Sequence, residues 1–173
     1  QMFAALTVRQ KIDEGVTSGV IWHTQGSGKT ALSYNLTYVL SDYFSKKNMV
    51  TKFYFIVDRL DLLGQASDEF EARGLEVKTA NSRSELMEQF RTNQAQEGLS
   101  GKPEITVVNI QRFEEDKEKV DLPDYATNLQ RVFIIDEAHR GYKPEGSFLA
   151  NLLDSDKNAI KIALTGTPLL KAE

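Results

Sequence analysis

Two spacings of apolar residues take turns along this chain. Phe3, Ala4, Leu6, Val8 and Ile12 follow a mixed helical period from about residue 2 to 14, which ends at Gly15. S-G-V-I-W-H, residues 18 to 23, is a short apolar run that reads as a buried strand. After a glycine-rich turn, Leu32, Leu36, Val39, Leu40, Tyr43 and Phe44 mark the apolar stripe of an amphipathic helix over 29–44. K-F-Y-F-I-V-D, residues 52 to 58, predicts a second strand. The next segment, D-L-L-G-Q-A-S-D-E-F-E-A-R-G, predicts a helix with Asp61 as its N-cap and Gly74 as its stop. E-V-K-T-A is a short strand, and residues 82–97 form a helix capped by Ser82 or Ser84. I-T-V-V-N-I (105–110) and R-V-F-I-I-D-E (131–137) are strands, separated by a charged, irregular stretch over 114–130. A helix near 147–154 and a final strand, A-I-K-I-A-L-T (159–165), complete the pattern.

Strands and helices therefore alternate, and most strands are continuous apolar runs. Both features predict a mainly parallel sheet with helices on both faces, a three-layer α/β sandwich. A length of 173 residues suits one domain with a sizeable core. Apolar residues make up 40% and charged residues 27%, and the net charge is −4. That charge argues against a self-sufficient nucleic-acid-binding module, though a basic groove on one face stays open. The absence of cysteine rules out disulfides and Cys-based zinc sites and fits a reducing, cytoplasmic setting. No apolar run approaches the roughly 18 residues of a membrane span, and the N-terminus lacks the apolar core of a signal peptide. The chain begins at Gln1, not at a methionine, and reads as a piece of something longer.

Three short stretches carry candidate chemistry. Q-G-S-G-K-T, Gln25 to Thr30, ends a loop between a strand and a helix. This is the arrangement in which backbone N–H groups and a helix N-terminus cradle phosphates. Gln25, Gly26, Ser27 and Gly28 supply the loop, Lys29 reaches the β/γ-phosphates, and Thr30 places its hydroxyl on Mg²⁺. Gly26 and Gly28 leave room for the turn. The phosphate-loop signature G-x-x-x-x-G-K-[ST] has its first glycine where this chain has His23, a position at the strand end that tolerates a side chain at negative φ. D-E-A-H closes an apolar strand with two carboxylates. Asp136 is placed to hold the metal, and Glu137 to act as the general base on an attacking water. T-G-T-P, Thr165 to Pro168, directly follows the last strand. The three strand ends are expected along one sheet edge, where α/β sheets bind ligands.

In that order, G-S-G-K-T, D-E-A-H and T-G-T-P resemble motifs I, II and III of superfamily 2 helicases and translocases. The likeness covers nearly the whole chain, 1–173, as a single first RecA-like P-loop NTPase lobe. Within the superfamily, V-I-W-H-T-Q-G-S-G-K-T, I-V-D-R-L-D-L-L-G-Q and I-I-D-E-A-H-R look like the motor subunit of Type I restriction enzymes, a family in which the His23 spelling is typical. F-I-V-D-R, 55 to 59, is similar to its motif Ia. T-V-V-N-I-Q-R-F, 106 to 113, is similar to the next motif but departs from it at Val108 and Asn109. The resemblance implies ATP and Mg²⁺ as cofactors and double-stranded DNA as the track. It implies the specificity and methyltransferase subunits of a restriction complex as partners. His139, Thr165, Gly166 and Thr167 would couple the nucleotide state to the relative position of two lobes. Gln1 sits where an adenine-reading glutamine would be. Arg59 and Gln111 are candidates for the DNA track, with ordinary exposed polarity as the alternative for these residues and for Gln1.

The resulting expectation is the ATP-binding lobe of a DNA translocase whose hydrolysis drives translocation before cleavage. The second lobe, which supplies arginine fingers in this superfamily, and a nuclease signature are absent from the sequence. The piece alone is therefore expected to hydrolyse ATP poorly. Another superfamily 2 motor, such as a Type III restriction subunit, a remodeller or a D-E-A-H helicase, is the alternative within the class. An ATP-dependent switch or scaffold without motor work is the alternative outside it; Glu137 argues against that, because a pure binder needs no base.

Overall fold

The computed structural model describes residues 2–22, 28–57, 60–80, 82–91, 104–109, 129–136 and 148–165. The elements are α1 (Met2–Asp13), β1 (Ser18–Trp22), α2 (Gly28–Ser45), β2 (Val50–Val57), α3 (Leu60–Ala72) and β3 (Glu76–Ala80). They continue with α4 (Arg83–Arg91), β4 (Glu104–Asn109), β5 (Leu129–Asp136), α5 (Phe148–Asp154) and β6 (Ile160–Thr165). The six strands form one sheet in the order β1-β6-β5-β2-β4-β3, and all five pairings are parallel. This is the predicted three-layer α/β sandwich. Among the described residues, no helix is long and apolar enough to cross a membrane.

Parallel neighbours cannot be joined by hairpins, so each connection crosses a face of the sheet. On the first face, α1, α2 and α3 bury Ala5, Leu32, Leu36, Leu40, Phe44 and Phe70 against alternate residues of the strands, among them Phe53, Phe55, Val107, Ile134 and Ile162. Phe55 and Phe70 meet edge to face, with ring centroids 5.2 Å apart, a favoured aromatic geometry. On the second face, Leu86 of α4 and Leu152 of α5 pack against Tyr54, Ile56, Val108, Phe133 and Ile135. Moves towards β3 (β1 to β2, β2 to β3) run over the first face; moves towards β1 (β3 to β4, β5 to β6) run over the second. A single crossover hand accounts for all four.

Helix ends follow local chemistry. After α1, α2 and α3 the chain turns at Gly15, Asn48 and Gly74, with φ of 94°, 59° and 93°. Each turn is closed by an amide bonded five residues back: Val16 to Lys11, Met49 to Phe44 and Leu75 to Phe70. At Gly15 and Gly74 an added Cβ would meet nothing within 4 Å, so it is the positive φ that favours glycine there. At the start of α4 the Ser82 hydroxyl accepts the Glu85 N–H at 3.2 Å. That settles the cap on Ser82, not Ser84. Asp61 is not an N-cap, because α3 begins one residue earlier at Leu60 and takes Asp61 into its first turn. β1 is also not the buried strand its apolar sequence predicts: it lies at the sheet edge, and four of its five residues are exposed.

The strand starts carry charge. Lys78 pairs with Glu104 at 3.1 Å, and Arg131 with Asp156 at 3.0 Å. The Gln130 side-chain amide donates to the Asn158 carbonyl at 2.9 Å, joining the start of β5 to the turn before β6. Lys52 lies beside Arg131 in register. Burial pushes its ammonium down to about 8; Glu104 opposes the shift, and Arg131 and Lys78 add to it. Burial likewise pushes the Tyr54 hydroxyl well above the usual phenol range. Since the folded pKa of Lys52 lies below its unfolded value, the unfolded chain binds more protons between about pH 8 and 10.5, and this residue's cost to the fold is relieved as pH rises through that window. Urea denaturation should therefore find Lys52→Met more stable than the native chain below pH 8, with the gap closing towards pH 10.5. A gap independent of pH would contradict the assignment.

Candidate functional site

The C-terminal ends of β1, β6 and β5 stand side by side. Trp22 is opposite Thr165, and Leu164 is opposite Asp136. The strands that lead into G-S-G-K-T, T-G-T-P and D-E-A-H are thus three consecutive neighbours, and their ends lie along one edge as expected. Residues 23–27 connect β1 to α2, so α2 starts at this same edge. A helix N-terminal end carries N–H groups without an intrahelical acceptor and the positive pole of the helix dipole.

Gly28 opens α2, and Lys29 follows as a buried residue. Its Nζ lies 3.3 Å from Oδ1 of Asp136, with the two side chains only 11% and 14% exposed. The first turn is fixed from below by α2's own polar residues. The buried Ser33 hydroxyl donates to the Lys29 carbonyl at 2.9 Å, and Thr37 donates to the Ser33 carbonyl at 2.8 Å. These bonds four residues back let two hydroxyls sit on the apolar side of the helix with their donors satisfied. Lys29 is thereby held at the sheet edge by its helix, and Asp136 by its pairing with Leu164 of β6, one residue beyond the last pairing of β5 with β2 at Ile135.

The pairing of Lys29 with Asp136 was not foreseen from the sequence, which assigns one to phosphate and the other to metal. Its only trace there is that both motifs stand at strand ends expected along one sheet edge. Thr30 is half-buried beside Lys29, and Thr165 is buried at the end of β6. Asn109, noted only as a departure in spelling, is fully buried at the end of β4 opposite Val57. A polar residue that ends an apolar run is the signal that could have marked it. Gln1, His23, Gln25, Gly26, Ser27, Arg59, Gln111, Glu137, His139, Gly166 and Thr167 lie outside the described residues.

Chemically, the described part of the edge offers a hydroxyl and a carboxylate, the hard oxygen donors that suit Mg²⁺, next to a lysine and a helix N-terminus that suit phosphate. Among the described residues there is no group of three His, Cys, Asp or Glu that could hold a metal by itself.

A helix-covered parallel sheet with a lysine and a carboxylate paired at its ligand-binding edge has the form of a P-loop ATPase lobe. The family comparison makes this specific: all of residues 1–173 match the SWI2/SNF2 ATPase family model, and the chain belongs to that family. Curated relatives are endonuclease subunits of Type I restriction enzymes. The SauCOLORF180P subunit of Staphylococcus aureus strain COL is 33% identical over 172 residues, 97% of this chain and 17% of that protein. The HindI subunit of Haemophilus influenzae is 29% identical over 162 residues, 87% of this chain and 15% of that one. The chain thus spans about a sixth of the length of these relatives. Among solved structures, the Sulfolobus solfataricus SWI2/SNF2 ATPase core in complex with double-stranded DNA aligns with a TM-score of 0.58 at 16% identity, over 99% of this chain and 32% of that one. A nuclease-deletion mutant of the Type ISP restriction-modification enzyme LlaGI aligns with a TM-score of 0.56 at 14% identity, over 96% and 17%. At these identities the structural likeness establishes the fold: a helicase-like, RecA-type lobe.

If the Lys29–Asp136 contact is a true coupling, Lys29→Met and Asp136→Asn should each lower stability in denaturant melts. The double variant should lose less than the sum of the two, by about 1–3 kcal/mol. Strict additivity would show that the two groups do not interact.

Proposed function

We propose that this chain is the ATP-binding first lobe of a double-stranded-DNA translocase, within the motor and endonuclease subunit of a cytoplasmic Type I restriction complex. One observation carries the reading: a buried lysine from the phosphate-loop helix and the aspartate of D-E-A-H meet at 3.3 Å on the ligand-binding edge of the sheet. Membership of the SWI2/SNF2 ATPase family and the restriction-subunit relatives support it.

In this reading Lys29 exchanges Asp136 for the β/γ-phosphate oxygens of ATP, while Gln25 to Gly28 wrap the phosphates with backbone N–H groups. Thr30 and Asp136 would hold Mg²⁺, which when bound neutralises charge developing on the phosphates. Glu137 takes the proton of the attacking water. His139, Thr165, Gly166 and Thr167 pass the nucleotide state to a second lobe. Gln1 reads the adenine. Arg59 and Gln111 contact the DNA track. Hydrolysis drives movement along DNA ahead of cleavage, and the specificity and methyltransferase subunits bring the motor to its site. A SWI2/SNF2 motor outside a restriction system is the second reading, favoured by the breadth of the family model that matches.

The test is made in the parent protein. Glu137→Gln should retain binding of a fluorescent ATP analogue and lose DNA-stimulated hydrolysis, by about a hundredfold or more. Unchanged hydrolysis would remove Glu137 as the base. DNA-dependent ATPase without translocation, in a triplex-displacement assay, would leave the ATPase and remove the motor. The chain 1–173 on its own should hydrolyse ATP far more slowly than the parent; equal turnover would show that no second lobe contributes.

A further inference from the structure

The buried side of α2 changes character along its length. Leu40 and Phe44 sit in the first core, with Val132 and Ile134 of β5. Strand alternation places Asp136 on the same face of the sheet as these two β5 residues. Towards the ligand edge, the buried side of the helix carries Thr37, Ser33 and Lys29. Steps of four residues put these three side chains in one line. Ser33 and Thr37 are both fully buried. For stability alone they are poor choices. Alanine favours a helix interior more than either, and an apolar side chain takes no hydroxyl out of water. Both hydroxyls donate within the helix, Thr37 to the Ser33 carbonyl and Ser33 to the Lys29 carbonyl. These bonds therefore tie α2 to no other element. Each of the two carbonyls receives a hydroxyl besides the amide that a regular helix supplies, a pattern that bends helices.

What lies at the end of the line accounts for it. The upper bond is made to the peptide of Lys29 itself, whose Nζ reaches Asp136 at 3.3 Å. We infer that Ser33 is a positioning residue for Lys29, and Thr37 for Ser33: the two hydroxyls set the tilt of the first turn of α2, and with it the direction in which the lysine leaves the helix. The first part of this, the aim of Lys29 at Asp136, stands without a ligand. The second part rests on the reading above, in which the same aim presents the ammonium to the β/γ-phosphates of a nucleoside triphosphate. Losing a hydroxyl lets the first turn relax towards a regular helix. The helix is then no less stable, and the lysine is misdirected. Stability and ligand affinity are thus expected to part company at residue 33, as they do where a site holds its groups at the expense of the fold.

The experiment uses the full-length parent protein. Ser33→Ala removes the upper hydroxyl. Thr37→Val removes the lower one at nearly unchanged shape, and Thr37→Ser keeps the hydroxyl while giving up a methyl. The first readout involves no nucleotide. The cycle of Lys29→Met and Asp136→Asn in denaturant melts, repeated in the Ser33→Ala background, should show their coupling fall by roughly half or more. The second is equilibrium binding of a fluorescent ATP analogue. Ser33→Ala should weaken it by at least about fivefold, Thr37→Val by less, and Thr37→Ser not at all. The third is thermal melting, in which Ser33→Ala should unfold no lower than the native protein. An unchanged coupling would overturn the positioning of Lys29. A reduced coupling with native analogue binding would overturn its extension to phosphate. Weaker binding joined to a lower melting temperature for Ser33→Ala, or equal in Thr37→Val and Thr37→Ser, would make the hydroxyls ordinary core contacts and overturn the proposal as well. Failure of the nucleotide reading itself looks different: Lys29→Met would then bind the analogue as the native protein does, and the extension to phosphate would fall with it.

Discussion

Everything in this molecule follows from a sheet in which no two hydrogen-bonded neighbours can be joined by a tight turn. Each strand must be left over one face and re-entered from the opposite end, so helices accumulate on both faces and the strands between them become apolar throughout. The same rule sends every strand's C-terminal end to one edge. Phosphate-loop helix, carboxylate and threonine come from residues 28–30, 136 and 165, yet they share that edge because their strands are β1, β5 and β6.

The edge also holds a nearly buried ion pair. Lys29 and Asp136 are drawn almost completely out of water, which costs solvation for both. Their contact offsets that cost without a ligand. In the proposed reading a polyphosphate would offer the lysine more negative charge than a single carboxylate does, and would take the carboxylate's place.

Much of the architecture was legible because it rests on local chemistry. The alternation of apolar runs and helical stripes predicted every described element, with bounds within a few residues; the expected continuation of the fourth helix over 92–97 lies outside the described residues. Gly74 and Ser82 announced their turns. What failed were features set by distant neighbours. Asp61 looks like a cap only until Leu60 is seen inside the helix. S-G-V-I-W looks like a central strand because its composition is that of one, and nothing in five residues says that, among the described residues, it pairs on one side alone. At the site, the residue types that suit phosphate and metal were readable from spacing. The ion pair between them was not, because it depends on β5 lying two strands from β1.

The far ends of β5 and β6 add a mechanical property. Gln130 holds the Asn158 carbonyl, and Arg131 holds Asp156, so the two strands are pinned together at the edge opposite the site. Sliding of one past the other would break both contacts, whereas a shared tilt breaks neither. Asp136 pairs with Leu164 at the other end of the same ladder, so the register these contacts fix at the strand starts is also the register that sets Asp136 beside the last residues of β6.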